Sequence, residues 1–186
     1  PAPTEPGRYV LNVDLLDNEG EELHRQAFFY AWKADWPIVA VDADGLPGMG
    51  ASDAPAAAEA LQKIALQANL VYFTRRAVGL HEGMHGTLER RGYPDGPILL
   101  WQREYWHLTR DHRLKMPRII VESRLVSQLS RLKESFPKLQ QGIATSKLAV
   151  RSMTTAGLNV ITVGPHIKGD AENHRDSWND LEQRGL

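Results

Sequence analysis

Cysteine is absent from the 186 residues of this chain, which excludes disulfides, a thiolate metal site and a cysteine nucleophile. Any metal would have to be held by oxygen ligands or histidine. Runs of about 18 apolar residues are also missing, so no segment reads as a membrane span. The opening PAPTEPGRY lacks both the basic and the apolar parts of a signal peptide. An excess of either charge is lacking too: 22 basic residues stand against 23 acidic ones, a net charge of −1. No global field is present to hold a polyanion, and no specific nucleic-acid partner is expected. The chain does not open on methionine, which leaves a processed chain or an upstream domain open. The expectation is a soluble protein, either cytoplasmic or exported after processing. What is present is ordinary for a folded domain, with 42% hydrophobic and 24% charged residues.

Apolar runs alternate with helical patterns. YVLNVDLL (9–16) and QAFFYAW (26–32) read as strands joined by the polar DNEGEELHR, hence a β-hairpin. IVAVD (38–42) is short and β-branched, a fully buried strand. A Gly- and Pro-rich loop follows, then a helix over AAAEALQKIALQAN with Asp53 as its N-cap. NLVYFT (69–74) is a second buried strand, 78–92 a helix stopped by Gly92, and PILLW (97–101) a third strand. Residues 102–116 read as a loop or ragged helix. Ile119, Ile120, Val126, Leu129, Leu132 and Phe136 recur at helical spacing between Pro117 and Pro137. GIAT (142–145), a helix over SKLAVRSMTTAG and the strand LNVITVG (158–164) complete the order. This alternation predicts an α/β fold with a doubly wound, Rossmann-like parallel sheet. Three segments follow: an N-terminal hairpin extension (1–36), the α/β domain (37–165) and a polar C-terminal tail (166–186), the last a surface helix or disordered.

In such a sheet ligands sit at the carboxyl ends of the strands, so the informative residues should end strands. Asp42 ends IVAVD, and Asp44 follows in a loop where Gly45 permits close backbone approach. Two carboxylates there are able to bind Mg²⁺, and in unlike environments one serves as nucleophile while the other carries a proton. The alternative is that Asp42 and Asp44 are turn formers whose side chains accept backbone N–H bonds. Arg75 and Arg76, directly after a strand end, are suited to clamp a phosphate or to pair with a helix surface. His81 and His85 share one helix face at i, i+4 but have no third ligand nearby. Trp101, Arg103, Tyr105, Trp106, His107, Arg113 and their neighbours interleave basic and aromatic side chains, a candidate substrate surface or a solvated loop.

VDADGL (41–46) resembles the first motif of the haloacid dehalogenase superfamily, a strand ending in Asp-x-Asp-Gly-Thr, with Leu46 where the Thr stands. VYFTRRA, GYPDGPILL, LKMPRIIVES and GIATSKLAVRSMTTAGLNVITVG are similar, in that order, to the lipin-type phosphatidate phosphatase domain, so the resemblance covers 38–164. It implies a haloacid-dehalogenase-like fold and a Mg²⁺-dependent phosphohydrolase acting through an aspartyl-phosphate. In that reading Asp42 is the nucleophile, Asp44 the acid and base, and Thr74 holds the phosphoryl oxygens. Lys115 is the candidate for the neutralising lysine, Arg75, Arg76 and Gly45 contact the substrate, and Asp42 and Asp44 hold the metal. Ala149 stands where the family has its third metal carboxylate, so the resemblance implies weak Mg²⁺ binding and slow turnover. The partner is a phosphorylated small molecule or lipid headgroup. The alternative is a catalytically degenerate domain that binds a phosphorylated or protein partner without turnover.

Overall fold

The buried run 38–42 is the centre of the molecule. A computed structural model describes residues 3, 5–16, 20–33, 35–47, 54–74, 81–100, 107–108, 114–115, 121–165, 167 and 172–186. Ten strands and five helices are present among them. β1 (Gly7–Leu16) and β2 (Glu22–Ala31) form the expected hairpin, antiparallel and in register from Gly7 opposite Ala31 to Leu16 opposite Glu22. β3 (Ile38–Asp42), β4 (Asn69–Thr74), β5 (Ile98–Leu100), β8 (Leu139–Ala144), β9 (Asn159–Val163) and β10 (His174–Arg175) build one parallel sheet in the order β10-β9-β8-β3-β4-β5. Numbered within the sheet alone, this is the 3-2-1-4-5-6 order of a Rossmann-like fold, with the reversal between β3 and β8. A small ladder, β6 (His107–Leu108) with β7 (Leu114–Lys115), lies in the segment expected to be a loop or ragged helix.

The sheet carries a core on each face because its strands alternate with period two. Val39, Val41, Leu70 and Tyr72 face α1 (Ala54–Ala65), α2 (His81–Arg90) and α5 (Trp178–Arg184) through Leu61, Met84, Leu88, Trp178 and Leu181. Ile38, Ala40, Val71 and Phe73 face α3 (Val121–Ser135) and α4 (Lys147–Thr155) through Leu125, Leu129, Ala149 and Met153. Strands buried on both faces read as unbroken apolar runs, which is how β3 and β4 appear in the sequence. Burying Leu61 or Leu129 contributes roughly 1.5–3 kcal/mol each relative to exposure.

The C-terminal tail departs from its polar reading. β10 adds a sixth strand to β9, and α5 buries Trp178 and Leu181 in the first core. Two apolar residues three positions apart make one stripe on a single helix, enough to dock seven residues that are otherwise polar. Ser177 caps this helix by accepting from the Asp180 N–H. The hairpin is fastened at its base, where Arg8 pairs with Asp95 at 3.4 Å and the Tyr30 hydroxyl donates to Asp95 at 3.0 Å. Farther out, Val10, Leu11, Leu15 and Leu16 are each at least half exposed.

Candidate functional site

Two loops meet at the sheet reversal. Asp42, the last residue of β3, is fully buried, and its carboxylate is enclosed by donors. Oδ2 accepts from the Thr145 N–H at 3.2 Å, the Thr145 hydroxyl at 2.8 Å and the Ser146 hydroxyl at 3.0 Å. Oδ1 accepts from the Asp44 N–H at 3.3 Å, closing the short 3₁₀ turn 43–45. Ser146 acts twice, because the same Oγ accepts from the Ala149 N–H at 3.2 Å as the N-cap of α4. Asp42 is thereby joined through one hydroxyl to a helix N-terminus, where negative charge is favoured. On the other side the Thr74 hydroxyl, at the end of β4, donates to Asp44 Oδ1 at 2.7 Å. The Asp42-x-Asp44 pair laces β3 to the loop after β8 on one flank and to β4 on the other.

The electrostatics follow from this enclosure. Burial pushes the Asp42 carboxyl above its ordinary value of 3.8. The Thr145 and Ser146 donors act in the opposite sense, and the nearby Asp44 charge adds to the rise. Beside the lacing lies a cleft of about 230 Å³ lined by Gly45, Thr145, Gly164, Asp176, Ser177 and neighbouring apolar residues. Its described lining carries one carboxylate, Asp176, and no lysine, arginine or histidine.

The structure therefore brings together Asp42, Asp44, Thr74 and Gly45 among the residues singled out from sequence. Lys115 belongs to β7, but its side chain lies outside the described residues, as do Arg75, Arg76 and most of 102–116. Asp53 lies outside them as well. His85 is buried against the hairpin, its ring 5.4 Å from Phe28 and 6.4 Å from Tyr30. Thr145 and Ser146 were not singled out. Their signal was a Ser at the junction of a buried strand and a helix, the pattern of an N-cap. Leu46 and Ala149, where the resemblance placed a Thr and a metal carboxylate, are both fully buried core residues.

Mg²⁺ is the cofactor that the resemblance implied, and the donor set does not fit it. The inner carboxylate already accepts four hydrogen bonds, and among the described residues no group of three or more His, Asp or Glu is arranged to hold a metal.

No family model matches the chain, and no curated protein matches it. Solved structures similar to it include levodione reductase and several short-chain dehydrogenase/reductases. Levodione reductase is 14% identical with a TM-score of 0.36, the similarity covering 80% of this chain and 61% of that one. A short-chain dehydrogenase/reductase from Serratia marcescens is 14% identical with a TM-score of 0.35, covering 78% and 62%. A protein from Burkholderia xenovorans described as a putative short-chain dehydrogenase/reductase is 9% identical with a TM-score of 0.34, covering 69% and 55%. This chain thus spans about three fifths of the length of the first of these. Similarity at this level carries no chemistry across.

The haloacid-dehalogenase assignment, and with it the hydrolase and phosphatase expectation, is corrected here. The solved structures named above are described as reductases or short-chain dehydrogenase/reductases, and none of those named is a phosphatase of that superfamily. The physical reason lies in Asp42: a nucleophile must present a lone pair to its substrate, whereas this carboxylate has no exposed surface and spends its acceptors on Thr145, Ser146 and its own turn. What holds is the coarser description, an α/β fold with a Rossmann-like parallel sheet of six strands. Among the described residues, no helix is long and apolar enough to cross a membrane.

Proposed function

We propose that this domain binds a small donor-bearing molecule, a polyol or an amine, in the cleft at the carboxyl edge of β3, β8 and β9. The observation that carries this reading is the character of the cleft. Hydroxyls of Thr145 and Ser177 and the Asp176 carboxylate line it, Asp176 meeting the His174 ring at 3.2 Å, and Asp42 and Asp44 stand behind it. An electronegative cleft repels a free anion and favours hydroxyl or ammonium donors. Its position supports the same reading, since ligands of doubly wound sheets lie outside the strand ends where the order reverses. At about 230 Å³ it suits one sugar-sized ring rather than a dinucleotide. In this arrangement Asp42 is a positioning residue that holds Thr145, and Asp176 is the contact that selects for donors.

The test is a thermal-shift and calorimetric comparison of glycerol, ribose, glucosamine, inorganic phosphate and AMP. Ribose or glucosamine should raise the unfolding temperature in a concentration-dependent way, with glucosamine the stronger, while phosphate should not. Asp176→Asn, at an exposed side chain that leaves the core intact, should remove most of the preference for the amine. Tight phosphate binding, or no response to any donor ligand, would count against the reading.

A further inference from the structure

A second cavity lies at the opposite edge of the sheet. It occupies about 660 Å³ between β2, the end of α3 and the amino-terminal ends of β3 and β4. That volume falls in the range of small-molecule sites. Its walls are mainly apolar and aromatic, with Phe28, Trp32 and Phe136 from the periphery and Val71 and Leu99 from the sheet. Trp32 and Phe136 meet edge to face at 5.3 Å, which fixes one wall. The charged residues lining it are Lys33 and Lys138, with no carboxylate among the described lining. Lys33 Nζ stands 3.5 Å over the Trp36 ring, and Lys138 Nζ is 3.6 Å from Asp35, whose side chain is fully exposed. An ion pair so exposed is weak and is readily exchanged for another anion.

We propose that this cavity binds a small amphipathic anion, its apolar body against the aromatic wall and its acidic head at Lys33 and Lys138. Charge complementarity selects this occupant: an apolar chamber with two ammonium groups and no carboxylate among its described lining discriminates against cations, and its aromatic walls discriminate against sugars. The site is separate from the cleft at the carboxyl edge, since the two share no lining residue.

The test uses the full chain with 8-anilinonaphthalene-1-sulfonate as fluorescent probe and decanoate, decanol and decyltrimethylammonium as competitors, all below their micellar concentrations. Decanoate should displace the probe at about tenfold lower concentration than decyltrimethylammonium, and the gap should narrow as salt is raised. Lys33→Ala with Lys138→Ala, both at exposed positions, should remove the preference for the anion while decanol still competes. Ser135→Trp, on the exposed end of α3, should fill the chamber and weaken all three competitors, with unchanged circular dichroism reporting an intact fold. Equal competition by the anion and the cation would overturn the proposal. So would an unaltered preference in the double lysine variant, or a concentration-dependent dimer that excludes the probe.

Discussion

At the scale of single residues the structure turns on Asp42. Removing its carboxylate strands two hydroxyls and two backbone N–H groups in a buried place. Asp42→Ala should therefore cost about 3–5 kcal/mol in urea unfolding, the range for breaking a buried charged network. The pH dependence has a definite sign. A carboxyl whose folded value lies above its unfolded value of 3.8 contributes stability that is fully present below 3.8 and is lost as pH rises through the folded value. Asp42→Asn lacks that contribution, so the stability difference between wild type and Asp42→Asn should narrow as pH is raised from 3.5 toward neutrality. A difference that widens would mean that the donors, and not burial, dominate the carboxyl. Gly45 makes a second residue-scale test, because a Cβ built there would overlap the Thr145 side chain. Gly45→Ala should push Thr145 off Asp42 and cost about 1–3 kcal/mol, the usual penalty of overpacking.

Among the elements, the hairpin and the C-terminal helix are opposites. The hairpin is long and regular, its register visible in cross-strand pairs such as His24 with Asp14 at 2.7 Å and Gln26 with Asn12 at 3.1 Å. Its attachment nevertheless rests on a small base. Asp95→Ala removes the shared partner of Arg8 and Tyr30, so amide exchange in β1 and β2 should quicken while the sheet core keeps its protection. If the core loosened in step with the hairpin, the two would be one cooperative unit. α5 is short but deeply seated: Trp178→Ala should cost about 3–5 kcal/mol by emptying a site in the first core.

The sequence was legible where one signal acted alone. Ile38–Asp42 and Asn69–Thr74 appear at their predicted positions because strands buried on both faces need only an apolar run. Strand boundaries moved where the signal was mixed: β8 begins at Leu139 rather than 142, its next residues Gln140 and Gln141 being polar and lying at a register shift where Leu139 pairs with Ile38 and Gln141 with Val39. The tail was read from its average composition, which hides a Trp and a Leu three positions apart. Asp42 and Thr74 end their strands as read from the sequence, and Asp44 follows in the next turn. Hydrogen-bond partners such as Thr145 lie about a hundred residues away in sequence, and only folding brings them to Asp42.

For the whole molecule, a Rossmann-like sheet carries a cleft at its carboxyl edge whose rim is held in shape by the buried Asp42 carboxylate. The lacing of three neighbouring strands by Asp42 and Asp44 makes the cleft a rigid feature, so binding should perturb its lining with little change elsewhere. Chemical-shift mapping of the ¹⁵N-labelled chain, titrated separately with glucosamine and with inorganic phosphate, tests this most directly. Glucosamine should give saturable shifts at the amides of Gly45, Thr145, Gly164 and Ser177, and phosphate none. Shifts at those amides from phosphate, with glucosamine silent, would contradict the proposed binding.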